Sequence, residues 1–177
     1  MGEHGSRAEA KTGGTGHGPG LLGVYLNDHL AGATGGLRLA RRMTGPRASA
    51  EPGPELREIA AEIAEDRAAL LGIMRRLDVP VRRYKAYAGG AAELAGRLKP
   101  NGRLLRRSPL AGLVELEALR LGVTGKAEAW SVLRELAASD ARLDSRLLDE
   151  LLARALRQGE TLDRLRAERA RELFAPA

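Results

Sequence analysis

Three polar residues stand at positions where the surrounding helical pattern predicts apolar, core-facing side chains: His29, Asp66 and Glu117. Asp28 adjoins the histidine, and Glu62 lies one helical turn before Asp66. A buried charge is costly unless it meets a partner, so these groups are expected to converge. One hypothesis is a metal site formed by these five residues. Carboxylates with one imidazole suit iron or manganese, which implies a redox or oxygen-handling role.

The alternative is a buried polar network without chemistry. In that interpretation His29 donates to Asp66 or Glu117, and Arg67 or Lys126 balances the remaining charge. Such networks fix the register of packed helices. The two carboxylates could also act as general acid or base if the site opened to solvent. Both alternatives stay open at the level of sequence.

Covalent catalysis has no support in the sequence. The chain has no cysteine, which excludes disulfides and thiolate nucleophiles. It has neither a Gly-x-Ser-x-Gly elbow nor a glycine-rich loop ending in Lys-Ser or Lys-Thr. Enzymatic activity is therefore left undecided.

Positive charge is concentrated in residues 79–109, which hold eight basic side chains and one acidic one. The rest of the chain has 21 basic and 22 acidic residues, so the net charge of +6 belongs to this segment. One interpretation is a surface for an anionic partner, either nucleic acid, a lipid headgroup or an acidic protein. The other is a basic connector lying on acidic helix faces. The candidate anion-binding residues are Arg97, Lys99, Arg103, Arg106 and Arg107.

Four stretches with apolar residues three and four apart predict four long helices, at about 21–43, 55–77, 110–138 and 144–174. Residues 1–20 are rich in glycine and charge and predict a disordered tail. The inner face of the third stretch is predicted from Leu110, Leu113, Val114, Glu117 and Leu121. It resumes through Trp130, Leu133 and Leu136, and Trp130 is expected to pack in the core or at an interface. A bend is expected at Gly122 and Gly125. Glycines of the first stretch are expected to admit a neighbouring helix closely; they are Gly23, Gly32, Gly35 and Gly36.

Four long helices with a connector between the second and third resemble the ferritin-like superfamily. In its metal-bearing members, the second and fourth helices each carry Glu-x-x-His. This chain departs from that pattern, because Glu62 precedes Glu65 and Glu160 precedes Asp163 where the histidines would stand. The short runs EDR at 65–67 and ELE at 115–117 also resemble uncharacterised bacterial bundle proteins.

The sequence thus predicts an all-α, ferritin-like four-helix bundle over residues 21–174, with a short helical crossover at about 79–109. Its function is predicted to rest on the polar core cluster, structural or weakly metal-binding. The alternative function is a binding module that uses the basic crossover. No stretch is apolar enough to span a membrane, and a cytoplasmic location is expected. A homodimer through the long helices is a further expectation.

Overall fold

The computed structural model describes residues 18–46, 48, 53–82 and 110–176. Within these ranges the chain is helical, with turns between helices and no strand. The helices are α1 (Gly18–Thr44), α2 (Pro54–Arg76), α3 (Ala111–Leu136) and α4 (Ser145–Phe174). The all-α prediction is confirmed for this part of the chain. Gly18–Gly20, assigned to the tail by the sequence, form the start of α1.

Local signals explain where α2 and α4 begin and end. Pro54 stands in the first turn of α2, where its missing N–H is not needed. The helix ends at Arg76, and Asp78 adopts a left-handed backbone with φ of 56°. At the start of α4, the carboxylate of Asp144 accepts a hydrogen bond from the Leu147 N–H at 3.1 Å. These boundaries agree with the predicted ones.

Two apolar clusters hold the helices together, one at each end of the bundle. The Trp130 cluster includes Leu26, Leu30, Leu70, Ile73, Met74, Trp130, Leu133, Leu148 and Leu151. The Leu119 cluster comprises Ala40, Met43, Ile59, Ile63, Leu116, Leu119, Val123 and Leu162. All four helices contribute to both clusters, so each helix runs the length of the core.

The order in which each helix meets the clusters gives its direction. α1 and α4 contribute first to the Trp130 cluster, whereas α2 and α3 contribute first to the Leu119 cluster. α1 packs against α2 and α3, and α4 packs against α3 and, less closely, α2. The helices α2 and α3 therefore run in the same direction. The end of α2 and the start of α3 therefore lie at opposite ends of the bundle, about 35 Å apart for a helix of 23 residues.

A buried asparagine fixes the start of that connection. The Asn27 amide on α1 donates to the Pro80 carbonyl at 3.1 Å, and its oxygen accepts from the Arg82 N–H at 2.8 Å. Asn27 is 3% exposed and also donates to the Gly23 carbonyl at 2.7 Å. The sequence analysis did not single out this residue, because it lies outside the apolar stripe of α1.

The structure corrects the predicted face of α3. Leu113, Trp130 and Leu133 are buried as predicted, but the other buried residues were not assigned to this face: Ala111, Leu116, Leu119, Val123, Ala127 and Ala129. Leu121 is 69% exposed and Leu110 is 45% exposed, although both were assigned to the core. Glu117 is exposed as well, so its predicted core position was wrong. The helix also continues unbroken through Gly122 and Gly125, against the predicted bend.

Candidate functional site

A polar layer separates the two apolar clusters. Asp66 lies on α2 between Ile63 and Leu70, which belong to different clusters. Lys126 holds the corresponding level on α3, and Gln158 does so on α4. On α1, small residues follow Leu30 at this level, among them Ala33 and Gly36. This central layer is the place where the core departs from apolar packing.

Asp66 is the centre of the layer. Its side chain is 1% exposed, and both of its oxygens are engaged. The Lys126 ammonium lies 2.5 Å from Oδ2, and Arg154 Nη1 lies 3.2 Å from Oδ1. A buried carboxylate is tolerable only with such partners, because water no longer solvates it. Two side-chain cations therefore neutralise Asp66.

Gln158 extends the network across α4. Its amide oxygen accepts a hydrogen bond from the Lys126 ammonium. Its amide nitrogen donates to Glu62 Oε2 at 2.7 Å and lies 3.4 Å from Asp66 Oδ2. Arg154 also bonds Glu65 Oε2 at 2.8 Å, near the surface. The network thus ties α2, α3 and α4 together at one depth.

Burial lowers the pKa of the Lys126 ammonium below its ordinary value. The negative charge of Asp66 opposes this shift, and so does its hydrogen bond to the ammonium. The side chain of Lys126 is 14% exposed. Burial and the charge of Asp66 thus act on the Lys126 pKa in opposite directions.

His29 lies on the other side of the layer, on α1. It is half-buried, and its ring makes an edge contact with Tyr25, with centroids 4.4 Å apart. Burial lowers the pKa of the His29 imidazole, and the nearby charge of Asp28 opposes that effect. Among the described residues no hydrogen bond joins His29 to Asp66 or Glu117. That part of the predicted network was wrong, whereas the pairing of Lys126 with Asp66 is present.

A cavity of about 290 Å³ opens between α1, α2 and α3. Asp28, Gly32 and Gly122 line it where the chain is exposed, and Asp66 and Trp130 line its buried part. The remaining lining is mostly apolar and comprises Ala33, Ile63, Leu70, Leu119, Val123 and Ala129, with His29, Gly36, Arg67, Gly125 and Lys126. An apolar pocket with a few polar groups has the character of a ligand site.

Four glycines of α1 and α3 line this cavity: Gly32, Gly36, Gly122 and Gly125. A Cβ added at any of them would meet no described atom within 4 Å outside the local helix backbone. The expectation that Gly32, Gly35 and Gly36 admit a close neighbouring helix was therefore wrong. Each glycine inside a helix costs about 0.5–1 kcal/mol relative to alanine. At these four positions, the helices are less stable than they would be with alanine, and the space beside them stays open.

Trp130 contributes a hydrogen-bond donor without a partner. The residue is 2% exposed and lines the cavity. Its indole Nε1 is buried and has no hydrogen-bond partner among the described residues. An unmet buried donor costs about 1–3 kcal/mol, so a group of this kind calls for an explanation. The sequence analysis assigned Trp130 only a packing role.

The described residues do not fit the predicted iron or manganese site. They include no group of three or more histidine, aspartate or glutamate side chains arranged to hold a metal ion. Asp66 is neutralised by Lys126 and Arg154, and Glu117 lies on the surface. Glu62 bonds Gln158, and Asp28 is exposed. The five candidate ligands therefore do not form one centre.

The candidate anion-binding residues and most of the crossover lie outside the described residues. The anionic-partner hypothesis stays a prediction, as does the homodimer. Within the described ranges, no helix has both the length and the apolar character needed to cross a membrane. No protein-family model matches the chain, and no significant match exists among curated proteins or solved structures.

Proposed function

We propose that this chain is a ligand-binding helical bundle that holds a small molecule in the cavity between α1, α2 and α3. The observation that carries the proposal is the set of four helix glycines around that cavity, at which an added methyl group would meet no described atom within 4 Å outside the local helix backbone. Replacing them with alanine would make the helices more stable. The sequence instead keeps the space, as expected for a site that a ligand fills.

We further propose that the bundle is ferritin-like in topology. The parallel course of α2 and α3 supports this, because it requires one long connection between them. Bundles of this kind build ligand sites in the core from side chains of facing helices. In this bundle, the facing side chains of Asp66 and Lys126 form an ion pair in the core, and both residues line the cavity.

A pair of leucine substitutions tests the binding proposal. Gly36→Leu places a side chain in the cavity, whereas Gly35→Leu adds the same group to an exposed position of the same helix. Binding of acetophenone is measured by the fluorescence of Trp130, the only tryptophan of the chain. We expect the wild-type protein and Gly35→Leu to bind, and Gly36→Leu to lose binding. Equal binding by both variants, with both folded, would place the ligand elsewhere and overturn the proposal.

A further inference from the structure

The chemistry of the cavity walls restricts the kind of molecule that fits. The volume of about 290 Å³ corresponds to roughly ten water molecules at about 30 Å³ each. A ligand with one ring and a short substituent has this size. Ile63, Leu70, Leu119 and Val123 offer it apolar contacts from α2 and α3. The body of the ligand is therefore apolar.

The charges around the cavity are already balanced. Two acidic residues, Asp28 and Asp66, and two basic residues, Arg67 and Lys126, line it. The Lys126 ammonium lies against Asp66, and the Arg67 Nε donates to the Thr34 hydroxyl at 3.0 Å. These four formal charges sum to zero, and a charged ligand would lose its hydration on entering a mostly apolar cavity. The balance therefore favours an uncharged molecule.

The buried polar atom of the walls that lacks a hydrogen-bond partner among the described residues is a donor. Trp130 Nε1–H is buried and without a partner among the described residues. Lys126 has three N–H groups, and its described hydrogen bonds go to two acceptors, Asp66 and Gln158. An indole nitrogen donates and never accepts. The ligand that completes these walls must carry an acceptor.

We infer that the ligand is an uncharged, mostly apolar molecule with one hydrogen-bond-accepting oxygen, such as a carbonyl, which Trp130 Nε1–H binds. This inference rests on the proposed function and names the ligand class. Trp130 sets specificity, because a hydrocarbon of the same shape leaves its N–H unpaired. The apolar walls contribute affinity for the ligand and for such a hydrocarbon alike, so they do not distinguish the two molecules.

Matched probes separate the hydrogen bond from the apolar contacts. Acetophenone carries a carbonyl oxygen where isopropylbenzene carries a methyl group and a hydrogen. Calorimetric titration gives the affinity of each. Because a net hydrogen bond corresponds to about tenfold in affinity, Trp130→Phe should lower the ratio of acetophenone to isopropylbenzene affinity by about tenfold. Isopropylbenzene itself should bind the variant about as well as it binds the wild type.

The outcomes distinguish the inference from the function on which it rests. If neither probe binds the wild-type protein, the proposed function fails. If both bind and Trp130→Phe leaves their ratio unchanged, the cavity is a binding site but the named ligand class is wrong. Tighter binding of benzoate or benzylamine than of acetophenone would overturn the uncharged character. If Trp130→Phe does not fold, the indole proton resonance of the wild type decides, since only acetophenone should shift it downfield.

Discussion

The two sides of the central layer are packed differently. Toward α4, the space between the apolar clusters is filled by Asp66, Lys126 and Gln158, which bond to one another. Toward α1, small residues leave a cavity of about 290 Å³. The first side holds three helices in register, and the second leaves room for a ligand. One layer thus contains both a structural network and the cavity that we propose as a binding site.

The largest expected effect comes from breaking the filled side. Asp66→Asn removes the charge that neutralises Lys126 and Arg154, and breaking a buried pair costs about 3–5 kcal/mol. Glu65→Gln is the matched control, because Glu65 also bonds Arg154 but its side chain is 67% exposed. Its cost should stay below about 0.5 kcal/mol. Urea unfolding measures both, and a loss for Asp66→Asn as small as the one expected for Glu65→Gln would show that the network is not structural.

Alanine substitutions on the two sides should have a smaller effect. Gly36→Ala adds a methyl group where no described atom lies within 4 Å, so its helix propensity should raise stability by about 1 kcal/mol. This corresponds to a rise in Tm of about 2–4 °C. At Gly159, on α4, the added carbon would lie 3.3 Å from the Arg120 guanidinium carbon. That guanidinium is held by Asp163 at 3.0 Å, so Gly159→Ala should give no net gain. Equal gains in thermal unfolding would contradict the difference between the two sides.

The smallest expected effect is the pH dependence that His29 adds to the cavity side. Burial lowers its pKa in the folded protein below the ordinary value of 6.5, so the unfolded chain binds the proton more readily. The free energy of unfolding should therefore fall as pH drops below 6.5 toward the lower folded pKa. Its slope with pH should be smaller than the slope for one full proton taken up on unfolding. His29→Gln should remove this contribution. Urea unfolding between pH 5 and pH 8 gives the free energy of unfolding of the wild type and of His29→Gln. The same pH dependence in both proteins would show that His29 is not its cause.

The sequence predicted the helices better than their contacts. The apolar spacing of α2 is regular, and Ile59, Ile63, Leu70 and Ile73, on the face that carries Asp66, are buried with it. In α3, apolar residues occur on more than one side, so spacing could not select the buried face. Leu121 and Val132 are exposed there, and Leu121 was wrongly placed in the core together with Glu117.

The site was predictable only in part, because its decisive features depend on neighbouring helices. Asp66 stood out as a polar residue on an apolar face, and Lys126 was named among its possible partners. Gln158 gave no signal, since a polar residue in the charged α4 sequence is common. Glycines that line a cavity cannot be told from glycines that admit a helix until the distances to their neighbours are known.

The most direct test of the binding role is the indole N–H resonance of Trp130 in a proton–nitrogen correlation spectrum. The chain has one tryptophan, so the spectrum contains one indole signal and needs no assignment by mutation. We predict that acetophenone moves this proton downfield in a saturable manner, whereas isopropylbenzene does not. A signal that is unchanged by both compounds at saturating concentration would contradict the account, because the buried donor would then take no part in binding.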